Sequence, residues 1–395
     1  MKILWIKTDF LHPTNRGGQI RTLGMMRELH RNHEIHYLAL DNGEFPEGPA
    51  RAGEYSSFQY AVPHHPPSKT SPAFALQLLR GLLSPLPVAV ARYESAELRR
   101  QVELLTKTHR FDAIVCDFLF PAVNLPDLSV ASVFQHNVEA MIWKRHAQHG
   151  RTPLHRWYFR GQYQKMLACE KKVCRAARRV IAVSETDADT FRREYGLQDV
   201  PWVPTGVDVD YFTPPDTEVP PHADLVFVGS MDWMPNIDAA LWFAAEILPR
   251  IRERRPETTV AFAGRHPTPE IQALAQKIPG FQVTGTVPDI RPWLHGAKVS
   301  IVPLRIGGGT RLKIYEAMAA RCPVVSTAIG AEGLDCSQGN NILLADSPAD
   351  FAAACLDLLG DAEKRRRIGT AAREFVASTY SWASVAARFE QALFA

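Results

Sequence analysis

The sequence predicts an α/β protein built from two doubly wound parallel sheets that face one another across a crevice. Three observations predict it. The chain has 395 residues, more than one ordinary core accommodates, so two domains are expected. Short apolar runs alternate with helix-periodic stretches in both halves. Between the halves the composition changes: "PWVPTGVDVDYFTPPDTEVPPH" over 201–222 reads as a stiff, proline-rich linker. The expected domains are 1–205, completed by a C-terminal helix over 381–395, and 206–380. Ligands on such sheets sit at the carboxyl ends of the strands.

In the first half, "KILWIKT" reads as a buried strand ending near Thr8. A polar loop with Pro13, Gly17 and Gly18 follows. "QIRTLGMMRELHRN" then places Ile20, Leu23, Met26 and Leu29 at helical spacing, and "EIHYLAL" is the next strand. The order is that of a βαβ unit. Its loop, "TNRGGQIRTLG", is not G-x-G-x-x-G, and no acid stands where a dinucleotide ribose needs one, which disfavours a nicotinamide dehydrogenase. Residues 41–70, rich in Pro, Gly and His, read as irregular. Further strands are expected at 112–117, 130–135 and 179–184. In the second half "ADLVFVGS", "TTVAFAG", "FQVTG", "KVSIVPL" and "PVVST" read as strands, with helices at "NIDAALWFAAEILPRIRER" and "PTPEIQALAQKI". "SWASVAARFEQALFA" closes the chain as an amphipathic helix.

Composition narrows the function classes. A net charge of +3 argues against a dedicated nucleic-acid binder. The six cysteines are sparse, and Cys169 and Cys174 do not have zinc-pair spacing, so free thiols in a reducing, cytoplasmic compartment are expected. The opening "MKILWIKTDF" is too short an apolar run for a signal peptide. No stretch of about 18 apolar residues suggests a membrane span.

The chemistry concentrates in "RIGGGTRLKIYEAMAARCPVVS", residues 305–326. An apolar run precedes three glycines, and Thr310 is placed to cap a helix whose first and third residues are then Arg311 and Lys313. A helix entrance already carries partial positive charge. Two added cations and close-approaching glycines make a cradle for a diphosphate. Glu316 lies three residues beyond Lys313 on the same face, where a carboxylate can accept both hydrogen bonds of a ribose diol. The alternative is that the cations are merely solvated and Glu316 pairs with Lys313.

This stretch, with its G-G-G-T-R-L-K-x-x-E-A-M-A pattern, resembles the donor site of retaining glycosyltransferases of family GT4, which have the GT-B fold of two Rossmann-like domains. Other landmarks agree in order: Gly17-Gly18 after the first strand, "FQHNVEA" (134–140), "RVIAVSETDADTF", "PTGVDVDYF", "FVGSMDWMPN" and "VTGTVPDIRPWLHGAKVSIVPL". The resemblance implies a donor that is a nucleotide-diphosphate sugar, with Glu316 on its ribose. Arg311 and Lys313, with Gly308, Gly309 and Thr310, would neutralise and cradle the leaving diphosphate. Gly17 and Gly18 would offer amides to the phosphate, His136 would touch the donor sugar, and Arg265 is a further candidate near the phosphates. It implies front-face displacement with retained configuration, stabilisation of the leaving group rather than an enzyme nucleophile, and no metal or other cofactor. The acceptor would be a glycan, lipid-linked or other hydroxyl, in polysaccharide or glycoconjugate biosynthesis.

Many members carry two glutamates eight apart; here the earlier position is Gly308, which leaves the donor sugar open. The family's arginine and lysine after the second domain's first strand have no clear match in "GSMDWMPN". "DVD" at 208–210 matches a manganese signature but sits in the linker, and "DAD" at 187–189 reads as a solvated helix face. His12, His64 and His65 read as surface. Trp233 and Asn236 could line the nucleotide pocket or pack an interface. The apolar segment 72–91 and the basic, aromatic "RHAQHGRTPLHRWYFRGQYQKM" could meet anionic lipid headgroups at a membrane surface, or could be ordinary packing beneath a solvated face. Two rivals use the same plan: a sugar-nucleotide epimerase, for which no carboxylate pair is evident, and a non-catalytic nucleotide-sugar-binding protein.

Overall fold

Two six-stranded parallel sheets organise the chain. The computed structural model describes every residue except 15–16, 69–70, 150–151, 216, 218 and 307–311, and omits the side chains of 73, 75, 77, 79, 80 and 149. The described residues divide into two compact units, Met1–Pro204 with Val385–Ala395, and Thr205–Ser384.

In the first unit the strands are β1 (Lys2–Lys7), β2 (Glu34–Asp41), β3 (Phe58–Pro63), β4 (Ala113–Asp117), β5 (Ala131–Phe134) and β6 (Arg179–Ile181). Their order across the sheet is β3-β2-β1-β4-β5-β6. The central strand β1 is apolar without alternation, Ile3 to Ile6 being fully buried, because helices cover both faces of a parallel sheet. The closing helix Trp382–Phe394 supplies part of that cover. Phe389 packs its ring 5.4 Å from Trp5 and 5.0 Å from Phe134, and Arg179 donates to the carbonyl of Ala392 at 2.7 Å.

The second unit repeats the plan with β7 (Ala223–Val228), β8 (Val260–Ala263), β9 (Phe281–Val283), β10 (Ala297–Val302), β11 (Val324–Ser326) and β12 (Leu343–Leu344), ordered β12-β11-β10-β7-β8-β9. The long helix expected after β7 is broken. Helix Met234–Trp242 passes through a π turn, Phe243–Ile247, into helix Leu248–Arg254. Pro249 lacks the N–H that an uninterrupted helix would use, and the wider turn absorbs it.

Two expectations are corrected. Residues 41–70 are not wholly irregular, since β3 pairs in register with β2 from His36–Phe58 to Asp41–Pro63. It lies at the sheet edge and only Val62 of "FQYAVP" is buried, so no alternating pattern marks it as a strand. The segment 201–222, expected as a stiff linker, crosses the boundary between the units and packs at its two ends. Trp202 bridges to Ala182 in the first unit, while Val207 bridges to Ser381 and Phe212 is buried in the second. "DAD" is not a uniformly solvated face: Asp189 pairs with Arg192 at the surface, but Asp187 is half-buried, and burial raises its pKa against the opposing pull of Ser184, Arg21 and Arg145. All six cysteines are free. Among the described residues no helix is long and apolar enough to cross a membrane.

The turns after β7 and β8 pack backbone to backbone. A Cβ on Gly264 would overlap the carbonyl oxygen of Gly229, so only glycine lets these turns meet. Gly264→Ala is expected to destabilise the protein by about 1–3 kcal/mol through overpacking. Chemical denaturation measures this, and an unchanged midpoint and slope would show that the contact is not tight.

Candidate functional site

Two clusters of functional side chains are present, one in each unit. In the first, register decides the placement. Ile6 pairs with Cys116, and Asp117 with Phe134, so Lys7, Asp117 and His136 come to the carboxyl-end edge of one sheet. Asp117 is fully buried. Its Oδ2 accepts from Trp5 Nε1 at 3.0 Å, Lys7 Nζ at 2.8 Å and Thr22 Oγ1 at 2.8 Å, and its Oδ1 faces His136 Nε2 at 2.7 Å. Burial alone would raise the Asp117 pKa, but Lys7 and His136 outweigh it and hold the carboxyl well below its usual range. Burial pushes His136 down to about 4, with Asp117 opposing, so the imidazole is neutral near pH 7. Its Nδ1 is buried without a partner.

Phe118 follows the acid with φ of +78°, an uncommon conformation for a bulky residue. Its ring stacks on His136 with centroids 4.0 Å apart, and Lys7 Nζ lies 4.9 Å from the same ring centroid. Gly18, in the first turn of helix Gly17–His30, makes room for this pair: a Cβ there would lie 3.0 Å from Phe118 Cε2.

Beside this edge lies a cavity of about 360 Å³, whose walls include Gln19, Asp41, His64, Arg92, Phe118 and His12. His12 and His64 are therefore not surface residues. His12 is buried, with Nε2 at 3.2 Å from Glu54, and His64 Nε2 donates to the carbonyl of Arg92 at 2.9 Å. Both were obscured in the sequence by a proline-rich setting. His65 is exposed.

Glu170, in helix Pro153–Ala176, holds the segment after His136. Its carboxylate accepts from the backbone N–H groups of Glu139 and Ala140, both at 2.9 Å, and from the Tyr195 hydroxyl at 2.6 Å. It thereby satisfies the open donors at the start of helix Glu139–His149. Burial pushes its pKa up to about 7, against those hydrogen bonds.

In the second unit Lys313 and Glu316 lie on helix Leu312–Ala319. Lys313 Nζ donates to Asn236 Oδ1 at 2.8 Å and lies 4.3 Å from the ring centroid of Phe227. Asn236 is buried and donates to the carbonyl of Ser230 at 2.7 Å. A Cβ on Gly229 would lie 2.9 Å from Lys313 Nζ, so the glycine leaves the ammonium its place. Burial raises the Glu316 pKa and Lys313 opposes the rise. Arg265 is exposed, with Nε donating to Ser230 Oγ at 3.1 Å, so it joins the turn that anchors Asn236. Trp233 is half exposed at the head of helix Met234–Trp242. Gly308, Gly309, Thr310 and Arg311 lie outside the described residues.

Sequence reasoning reached His136, Gly17, Gly18, Lys313, Glu316 and Asn236 but missed Lys7, Asp117, Phe118 and Glu170. An acid at the carboxyl end of a buried parallel strand, as in "AIVCD", was the available signal for Asp117. Asp208 accepts from the N–H of Tyr211 at 2.8 Å, closing a local turn, and among the described residues no group of His, Cys, Asp and Glu is placed to hold a metal ion.

Comparison with known proteins bears on this arrangement. Residues 222–361 match the family model described as glycosyl transferases group 1, and residues 15–211 match that of glycosyltransferase family 4. D-inositol 3-phosphate glycosyltransferase 2 of Catenulispora acidiphila is 29% identical over 248 residues, 56% of this chain and 57% of that protein. The match thus spans little more than half of that relative. An uncharacterized protein in the cps region of Klebsiella pneumoniae is 21% identical over 400 residues, covering 96% of each chain. Anabaena HepE, solved with UDP and glucose, aligns with a TM-score of 0.63 at 14% identity over 100% of this chain and 99% of that one. WaaG, a glycosyltransferase involved in lipopolysaccharide biosynthesis, gives 0.64 at 15% over 99% of both. These structural neighbours share the fold, which is that of GT-B glycosyltransferases. With both family models matched in chain order, over 15–211 and 222–361, the chain belongs to glycosyltransferase family 4, the group 1 glycosyl transferases.

Proposed function

We propose that this protein moves a sugar from a nucleotide-diphosphate sugar to a hydroxyl acceptor with retention of configuration. The observation that carries the reading is the fixed ammonium of Lys313, held by Asn236 over Phe227, one helical turn before Glu316. An ammonium at a helix entrance meets the charge that develops on a departing diphosphate. Arg311, with the backbone of Gly308, Gly309 and Thr310, is proposed to add to it, and Arg265 to reach the phosphates from the Ser230 turn. Glu316 would accept both ribose hydroxyls. The raised Glu316 pKa fits a carboxylate that awaits such donors. Gly17 and Gly18 would offer backbone N–H groups at a helix start, and His136 would receive a hydroxyl of the donor sugar.

In the proposed reaction the acceptor oxygen attacks the anomeric carbon on the face that the diphosphate leaves. The leaving phosphate oxygen takes the acceptor's proton, so no enzyme nucleophile is needed. Because Lys313 and Arg311 supply the positive charge, we propose that the reaction does not require a metal. Anabaena HepE has been solved with UDP and glucose and with UDP-glucose, which supports a nucleotide-sugar donor. The description of WaaG supports a role in polysaccharide or glycoconjugate assembly.

A membrane-facing acceptor would suit one surface of the first unit. Leu83, 92% exposed, ends helix Pro72–Leu83. Lys165 ties that end to helix Pro153–Ala176 by donating to the carbonyls of Gly81 and Leu82 at 2.7 and 2.8 Å. The second helix carries exposed Leu154 and Trp157 among Arg156 and Arg160. We propose peripheral contact there with anionic lipid.

Two measurements test these readings. Glu316→Ala is expected to weaken nucleotide-sugar binding by about 1–3 kcal/mol, and Lys313→Ala to lower nucleotide release in the presence of acceptor by roughly 100-fold. Titration calorimetry and a coupled nucleotide assay read them, and unaltered values in both variants would remove the donor assignment. The protein is also expected to sediment with phosphatidylglycerol vesicles at low salt and less at high salt, and Leu83→Glu with Trp157→Glu to abolish this. A wild-type protein that stays in the supernatant at low salt would end the membrane proposal.

A further inference from the structure

The network around Asp117 contains an asymmetry that the transferase reading does not use. One oxygen, Oδ2, is surrounded by three donors, Trp5 Nε1, Lys7 Nζ and Thr22 Oγ1. The other, Oδ1, meets a single group, His136 Nε2 at 2.7 Å. An ionised carboxylate only accepts, so the hydrogen on that contact belongs to the histidine. A neutral imidazole carries one N–H, and with Nε2 occupied Nδ1 must be bare. That nitrogen is buried with no partner. Its edge of the ring faces the first turn of helix Gly17–His30, where a Cβ on Gly18 would stand 3.7 Å away. Gly18 and Phe118, which pack on the ring together with Phe134, both line the cavity.

We propose that Asp117 is a positioning residue that locks His136 in the Nε2–H tautomer, leaving Nδ1 as a preset acceptor for a substrate hydroxyl. Lys7, Trp5 and Thr22 complete the lock by filling Oδ2, so the carboxylate has no second way to meet the ring. Phe118 holds the imidazole plane by stacking. The groups that set the charge of the ring are Asp117, which favours protonation, and Lys7 and Arg21, which with burial oppose it. An unpartnered buried acceptor is costly, and a hydroxyl of a sugar donor or acceptor is a group that can satisfy it. This last clause rests on the transferase reading, but the tautomer does not.

The arrangement makes an uncommon demand on Asp117→Asn. Three donors surround Oδ2, so the amide oxygen must take that position and the NH₂ must face His136. The ring is then forced to accept at Nε2 and to carry its proton on Nδ1. The full-length protein, labelled with ¹⁵N-histidine, tests this by long-range ¹H–¹⁵N correlation at neutral pH. His136 is assigned by the signals lost in His136→Gln. In the wild type, Nε2 is expected at the protonated shift and Nδ1 at the bare shift. An Nδ1–H tautomer or an imidazolium in the wild type overturns the proposal, whether or not any variant folds. In a folded Asp117→Asn the two shifts are expected to exchange, and an unchanged pattern overturns the lock. With a nucleotide-sugar donor, Asp117→Asn is expected to lower kcat by about tenfold or more, the loss of one good hydrogen bond, with the affinity for nucleotide diphosphate unaltered. An unchanged kcat alongside exchanged shifts overturns the hydroxyl role of Nδ1. Should the wild type turn over no nucleotide sugar while its shifts are as expected, the transferase reading fails and the lock stands.

Discussion

Every strand in each sheet runs parallel to its neighbours, and the chemistry of the molecule follows from that constraint. Parallel pairing needs a crossover after each strand, so within a unit the turns that leave the carboxyl ends gather along one edge. Lys7 ends β1 and Asp117 ends β4, and His136 lies two residues past β5. In the second unit Gly229 follows β7 and Gly264 follows β8, while Lys313 lies at the start of helix Leu312–Ala319, the next described helix after β10. Residues more than 100 positions apart meet because register brings them level, as Lys7 and Asp117 do at 2.8 Å.

The two edges handle charge differently. In the first unit the carboxylate of Asp117 is saturated: a cation, an indole N–H, a hydroxyl and an imidazole all converge on it. Breaking such a buried set by removing one member is far costlier than the set is worth as stability, which suits a rigid support rather than a reacting group. In the second unit Lys313 is positioned by a neutral amide and an aromatic face. An amide carbonyl orients an ammonium without cancelling its charge. One edge therefore fixes a neutral imidazole, and the other presents a cation beside a carboxyl that is held toward its protonated form by burial.

Much of this was legible from residue order. Apolar runs such as "KILWIK" and "VVS" announce buried parallel strands because both of their faces are covered. The glycine loop before "RLKIYEAMA" announced Lys313 and Glu316 because the residue types and spacing there are local. Asn236 was visible only as a residue that could line a nucleotide pocket or pack an interface, and its contact with Lys313 was not foreseen. What was not legible is non-local. Asp117 looks like any strand-ending acid until β1 and β4 are laid side by side, and Glu170 looks like a helix-surface acid until Glu139 and Ala140 present their N–H groups to it. The edge strand β3 was hidden for a different reason: its six residues, only one of them buried, lie in a stretch rich in proline, glycine and histidine. The break at Pro249 was visible as a proline, but the π turn that absorbs it was not.

The account as a whole rests on where a nucleotide diphosphate settles, and a crystal structure of the protein soaked with UDP or GDP tests that most directly. The account places the diphosphate within hydrogen-bonding reach of Lys313 Nζ, and the ribose diol on the carboxylate of Glu316. A nucleotide bound elsewhere, with Lys313 and Glu316 both untouched by it, would contradict it.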